Sequence, residues 1–183
     1  MPFGGVMTLV VYRDGILAGD RRGSRNAAGC EMIRDMQKVF VSKCRRLAVA
    51  VAGEAIHDKD LPGVMEFFLG SLTDHYYREH DMDYLQEYTL DDAIRMRMTN
   101  RHYLLMTQDR LFVINEGKLV DLEGEPWYCI GNGLVMADIF LTDGMGAVKT
   151  IKEVAKLSLE VGSTFNRVVQ ALLKPLIKKV EVV

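Results

Sequence analysis

The chain has 183 residues and a mass of 20.7 kDa, which is the size of one domain with a substantial hydrophobic core. Its formal net charge of −2, with scattered Lys and Arg residues, gives no electrostatic reason to bind nucleic acid or an anionic membrane. Three cysteines without a Cys-x-x-Cys pair disfavour a disulfide framework and a zinc site, and favour a reducing, cytoplasmic setting. No apolar run approaches the ~20 residues needed to span a bilayer.

Two apolar runs near the start of the chain predict a β-hairpin. They are Met7–Tyr12 and Ile16–Asp20, joined through Asp14-Gly15. An Asp-Gly dipeptide between apolar runs is the strongest local hairpin signal. With the turn centred on this dipeptide, paired residues have numbers that add to 14 + 15 = 29. Asp20 then lies opposite Leu9, next to Thr8.

The following segments predict a polar loop, a second hairpin and a helical region. The loop runs through Arg34, and the hairpin strands are Lys38–Ser42 and Leu47–Ala52. The second of these strands is almost entirely apolar, which predicts burial on both faces. A first amphipathic helix starts at Leu61-Pro62, and a second is predicted from Thr89 to Asn100.

The second half of the chain returns to strands and then to helices. The predicted strands are Tyr103–Thr107, Leu111–Asn115, Lys118–Asp121, Trp127–Ile130 and Phe165–Val169; the predicted helices are Leu134–Thr142 and Ala147–Val161, the latter with Gly162 as its C-cap. This order predicts an α+β fold, an αββα four-layer sandwich of two mainly antiparallel sheets between helical layers. No linker or repeat interrupts it, so residues 1–183 are expected to form a single domain.

Several stretches in this order resemble proteasome β-type subunits and the bacterial proteasome-like peptidase that works with an unfoldase, both N-terminal-nucleophile hydrolases. The similar stretches are Thr8–Val11, Asp14–Arg22, Asp35–Phe40, Ala52-Gly53, Cys129–Gly133 and Leu159–Ser163. The resemblance implies the four-layer fold and a ring-shaped homo-oligomer that takes polypeptide substrates. It also implies an ATP-dependent unfoldase partner where degradation is regulated. From the residues themselves, we expect no metal and no cofactor.

The resemblance assigns Thr8, Asp20, Lys38 and Gly53 to the catalytic site. Thr8 would attack an amide carbonyl, with its own free α-amine as the base, once Met1–Met7 has been removed. Lys38, kept charged by Asp20, would lower the pKa of the Thr8 hydroxyl and amine, and the Gly53 N–H would stabilise the oxyanion. The alternatives are a strand threonine, a structural ion pair and an ordinary glycine at the end of a strand.

Arg22, Asn132 and Ser163 are the expected supporting residues. A solvated loop arginine is the competing interpretation of Arg22, and helix-end capping is the competing interpretation of Ser163. Asn132 occupies a position where the family has serine, so it can form hydrogen bonds but cannot relay a proton as a hydroxyl does. The opening hairpin is also shorter than in the family; a gapless alignment would place Gly4, which has no nucleophile, at the threonine position.

Two functions of different classes remain open at this stage. The first is a threonine-type peptidase, for which Met1–Met7 is a removable propeptide. The second is a catalytically silent structural or assembly subunit with the same fold, for which Met1–Met7 is a retained extension. A small-molecule amidase of the same superfamily is a weaker third alternative. The four histidines have no metal-binding spacing.

Overall fold

The computed structural model describes residues 8–27, 30–53, 60–79, 101–115, 117–158 and 161–173. Its first strands, β1 (Leu9–Arg13) and β2 (Ile16–Asp20), form the predicted hairpin. Asp14 and Gly15 both have positive φ angles, of 51° and 73°, as a two-residue type I′ turn requires. The strands pair with Val10 opposite Gly19, and 10 + 19 = 29, so the predicted register is confirmed.

A second hairpin replaces the predicted polar loop. Strands β3 (Arg22–Ala27) and β4 (Cys30–Asp35) pair along their whole length as a separate two-stranded sheet. The Arg21 guanidinium closes the open end of this hairpin with two hydrogen bonds to the Asp35 carboxylate, of 2.7 and 2.6 Å. The loop prediction was wrong because β3 is hydrophilic and the apolar residues of β4 (Cys30, Met32 and Ile33) do not keep the regular alternation that identifies a half-buried strand.

A five-stranded antiparallel sheet forms the middle of the molecule. It contains, in spatial order, β5 (Val39–Val41), β6 (Ala48–Gly53), β7 (Arg101–Met106), β8 (Leu111–Asn115) and β9 (Lys118–Asp121). On β6, Val49 and Val51 pack towards the first helix, whereas the alternating alanines pack towards the other sheet. Burial of this strand on both faces is therefore confirmed.

The first hairpin belongs to a four-stranded antiparallel sheet. Its order is β10–β1–β2–β11, where β10 is Trp127–Gly131 and β11 is Phe165–Val169, followed by a 3₁₀ turn at Gln170–Leu172. The β11 prediction is confirmed, and the β10 strand is one residue longer than predicted.

Three helices are described, and they pack on opposite outer faces of the two sheets. They are α1 (Leu61–Glu79), α2 (Leu134–Thr142) and α3 (Ala147–Leu157). One apolar cluster joins α1 to the five-stranded sheet, a second lies between the sheets, and a third joins the four-stranded sheet to α2 and α3. The fold is therefore α+β. The predicted second helix, Thr89–Asn100, lies outside the described residues.

The end of α3 differs from its prediction. The helix stops at Leu157, and Ser158 is already extended with φ −130° and ψ 123°. Gly162 therefore does not cap this helix, and the expectation that Ser163 would cap it is also wrong. Among the described helices, none has the length and apolar character needed to cross a membrane.

Candidate active site

The Asp20 carboxylate is the centre of the candidate site. It is fully buried at the end of β2 and accepts four hydrogen bonds. Its Oδ1 accepts from the Leu9 backbone N–H (2.8 Å) and from Lys38 Nζ (2.7 Å). Its Oδ2 accepts from the backbone N–H groups of Arg22 (3.0 Å) and Gly162 (2.9 Å). Both oxygens are thus satisfied, which is the condition for keeping a carboxylate charged inside a protein.

Lys38 is the cationic partner of Asp20 and is equally buried. Its stem passes over β2 beside Gly19, where a Cβ would come within 3.2 Å of Lys38 Cβ. Its ammonium group donates to Asp20 and, at 2.5 Å, to the Arg22 carbonyl oxygen. Burial lowers the pKa of Lys38, and the Asp20 charge opposes that effect. The third N–H of the ammonium has no recorded acceptor among the described residues.

Thr8 lies directly before β1 and is only 1% exposed. Its Oγ1 is buried and has no hydrogen-bond partner in the described part of the chain. The next residue, Leu9, donates its N–H to Asp20, so the main chain leaving Thr8 is attached to the buried pair. An unpaired buried hydroxyl normally costs stability, which makes Thr8 unlike an ordinary strand threonine.

Arg22 contributes main chain to the site, and Gly53 lies at the end of a strand in the adjacent sheet. Gly53 is the last residue of β6 and has a φ of 122°, a conformation that favours glycine. The structure places it beside Arg101 on β7. Arg22 contacts the buried pair through its backbone N–H and carbonyl, so its part in the site does not depend on the guanidinium.

Asn132 and Ser163 are both exposed, in contrast to the buried Asp20–Lys38 pair. Asn132 lies on the turn between β10 and α2, and Ser163 lies on the segment before β11. Neither side chain forms a hydrogen bond with the Thr8 hydroxyl. The family resemblance implied supporting roles for both residues. Among the described residues, no hydrogen bond joins either side chain to the site.

Gly162 is the site residue that sequence reasoning missed. Its N–H reaches Asp20 from 142 positions away in the chain. A Cβ on Gly162 would lie 2.9 Å from both the Arg22 nitrogen and the Arg22 Cβ, and 3.3 Å from Asp20 Oδ2. Glycine is therefore needed for this close approach. The sequence predicts Gly162 as a helix C-cap, and the similar stretch Leu159–Ser163 contains it without giving it a role in the site.

A groove of about 990 Å³ lies away from these residues, between the β5–β6 turn and α1. Phe40, Phe67 and Leu69 supply apolar parts of its wall, and Thr8, Asp20 and Lys38 do not line it. Among the residues that the structure describes, no group of His, Cys, Asp and Glu is arranged to hold a metal ion.

Cys129 provides a first prediction, because it is a free, half-buried thiol on β10. Burial, with a smaller contribution from the Asp138 carboxylate, raises the pKa of this thiol from 9.0 to about 11. At pH 8 its thiolate fraction, and hence its alkylation rate by iodoacetamide, should be about 100-fold lower than that of the unfolded chain. The rate should rise with pH up to about 11. The measurement uses a Cys30→Ser/Cys44→Ser variant, and equal rates in the folded and urea-unfolded protein would contradict the prediction.

No protein-family model and no curated protein sequence matches this chain. Solved structures do match it. The crystal structure of eukaryotic HslV from Trypanosoma brucei superposes with a TM-score of 0.56 at 15% identity, covering 89% of this chain and 98% of that chain. The BPH protein of Thiobacillus denitrificans superposes with a TM-score of 0.53 at 16% identity, covering 89% and 96%. BPH in complex with epoxomicin gives a TM-score of 0.53 at 15% identity, covering 89% and 97%.

These similarities establish the fold. The chain has the proteasome-like N-terminal-nucleophile hydrolase fold of HslV over most of its length. The resemblance drawn from the sequence is thus confirmed at the level of fold. Identities of 15–16% do not extend it to activity.

Proposed function

We propose that this protein is a threonine-type peptidase that uses Thr8 as an N-terminal nucleophile. The observation that carries the proposal is the buried Asp20–Lys38 pair, attached through the Leu9 N–H to a buried threonine whose hydroxyl has no hydrogen-bond partner among the described residues. A hydroxyl is not needed to fill the space at that point, because valine has the same branched shape. A nucleophile, in contrast, must have its hydroxyl available for a base and an acyl group.

In the proposed reaction, removal of Met1–Met7 exposes the α-amine of Thr8. The Thr8 hydroxyl oxygen bonds to a substrate amide carbon while its proton moves to that amine. The proton then passes to the leaving nitrogen as the amide C–N bond breaks, and water hydrolyses the resulting ester. The Lys38 ammonium has an N–H left to donate to the Thr8 oxygen, and the Gly53 N–H would stabilise the oxyanion.

Further parts of the proposal rest on the likeness to HslV and BPH together with the sequence. We infer a single αββα four-layer domain. We also infer a ring-shaped homo-oligomer in the cytoplasm that degrades polypeptides, with an ATP-dependent unfoldase as its partner. We propose that Arg22 supports the site through its main chain. For Asn132 and Ser163 we propose only that they lie on segments that border the site.

A silent structural or assembly subunit is the second candidate function, and the hydrogen bonds of Asp20 favour it. They connect β1, the start of β3 and the segment before β11, so the buried pair has a purpose in the fold without catalysis. Thr8 is 1% exposed, and while Met1–Met7 is retained it has no free α-amine to act as the base. Retention of the seven residues would therefore leave the protein inactive.

The intact mass of the protein distinguishes these two functions. Freshly purified wild type, Thr8→Ala and Thr8→Ser are incubated in parallel at one concentration. If the proposal is right, wild type and, more slowly, Thr8→Ser lose the mass of Met1–Met7, whereas Thr8→Ala keeps it. Wild type should then hydrolyse an unfolded polypeptide. Retention of the segment by all three proteins after prolonged incubation would refute the peptidase and favour the silent subunit.

A further inference from the structure

The end of β10 lies against the backbone of Thr8 without the space for a side chain. Gly131 pairs with Leu9 and has a φ of 105°. A Cβ at this position would lie 2.0 Å from the Thr8 carbonyl oxygen and 2.8 Å from the Thr8 carbonyl carbon. Both atoms belong to main chain, which cannot swing aside as the end of a flexible side chain can. Any other residue at position 131 must therefore displace the Thr8 carbonyl or β10 itself.

The same peptide unit is fixed on its other side by the buried pair. The carbonyl of Thr8 and the N–H of Leu9 belong to one planar group. That N–H donates to Asp20 Oδ1 at 2.8 Å, and the same oxygen accepts from Lys38 Nζ at 2.7 Å. A displacement of the Thr8 carbonyl consequently moves the Leu9 N–H relative to Asp20, and moves Thr8 relative to Lys38.

We infer that Gly131 is a positioning residue, which holds the Thr8–Leu9 peptide in register with the Asp20–Lys38 pair. The inference rests on the proposed function, because its catalytic consequence requires Thr8 to be the nucleophile. Misplacement of a reacting group by about 1 Å can cost on the order of 100-fold in rate. Gly131 itself has no group that reacts, so its effect passes entirely through Thr8.

Other glycines of the chain allow the effect of a steric clash to be distinguished from the effect of backbone strain. Gly124 and Gly144 also have positive φ angles, of 84° and 87°, but a Cβ on either would meet nothing within 4 Å. Alanine at these positions carries the strain of a left-handed conformation without a clash. Gly124→Ala is therefore the matched control for Gly131→Ala, since it lies on a turn outside the candidate site.

The experiment compares wild type, Gly131→Ala and Gly124→Ala by thermal melting, hydrogen exchange of the Leu9 amide, and kinetics after loss of Met1–Met7. We expect Gly131→Ala to fold, to exchange the Leu9 amide at least about 10-fold faster, and to lose about 100-fold in kcat with KM within about twofold. Gly124→Ala should match wild type in Leu9 exchange and in both kinetic constants.

Three results would overturn the inference. The first is wild-type protection of the Leu9 amide in Gly131→Ala, and the second is an equal change in Gly124→Ala. The third is a failure of Gly131→Ala alone to fold, which would make Gly131 a folding requirement. If wild type never loses Met1–Met7, the proposed function fails; the Leu9 amide still decides whether Gly131 positions the Thr8–Leu9 peptide.

Discussion

Replacing Thr8 with valine is expected to stop the removal of Met1–Met7 completely and at the same time to stabilise the protein. Valine keeps the branched shape of threonine but exchanges its hydroxyl for a methyl group. The Thr8 Oγ1 is buried without a partner among the described residues, and such a group costs about 1–3 kcal/mol. The exchange should raise the free energy of unfolding by about 1 kcal/mol and Tm by roughly 2–4 °C for a chain of this size.

Thr8→Ser is the control for this prediction. It keeps the hydroxyl and loses one methyl group, so processing should continue while stability falls by about 1 kcal/mol. Intact mass measures processing, and thermal melting of chains that still carry Met1–Met7 measures stability. A fall in Tm for Thr8→Val would show that the hydroxyl is stabilised in the folded protein. If Thr8 is the nucleophile, its unpaired hydroxyl lowers stability but is needed for activity. Its removal should therefore raise stability and abolish activity.

The parts of the fold that could be predicted depend on local chemistry. The register of the first hairpin follows from Asp14-Gly15, because two consecutive residues with positive φ define a two-residue turn. Burial of β6 on both faces follows from its uninterrupted apolar sequence. The α2 helix and the β8, β9 and β11 strands have the predicted bounds, and turn residues delimit α2, β8 and β9.

The parts that could not be predicted depend on contacts between distant segments. The β3 strand is hydrophilic and the β4 strand has no regular apolar alternation, so no apolar period predicts their pairing. The apolar pattern of α3 continues past Leu157, but the backbone becomes extended at Ser158 and carries Gly162 to Asp20. A backbone N–H is common to nearly every residue, and therefore its role as a ligand of Asp20 leaves no mark in the sequence.

The residues of the candidate site also differ in how far the sequence could predict them. The hairpin register could bring Thr8 and Asp20 together, because a carboxylate opposite the residue after a threonine suggests chemistry, whereas Lys38 follows from the family resemblance. Asn132 and Ser163 were selected by resemblance alone, and both are exposed. The direction of a side chain on a turn depends on the exact backbone of that turn, which a similarity of motifs does not fix.

Breaking the buried ion pair is the second change with a large expected effect. Lys38→Met would leave the Asp20 carboxylate buried with three backbone N–H donors and no cation. Removal of one partner of a buried pair typically costs about 3–5 kcal/mol, so Tm should fall by roughly 10 °C. Asp20→Asn should cost more than Lys38→Met, because its NH₂ group must replace one of two oxygens that each accept two hydrogen bonds.

The Arg21–Asp35 pair supplies a matched control for this prediction. Its geometry is as good, with two hydrogen bonds of 2.6 and 2.7 Å, but its side chains are 35% and 65% exposed. Asp35→Asn should therefore change the free energy of unfolding by no more than about 1 kcal/mol. Urea unfolding of wild type, Lys38→Met, Asp20→Asn and Asp35→Asn measures these differences. Equal losses of stability for Lys38→Met and Asp35→Asn would contradict the assigned role of burial.

The stability loss is expected for either proposed function, so intact mass decides between them. Lys38→Met blocks the loss of Met1–Met7 only if the protein is a peptidase.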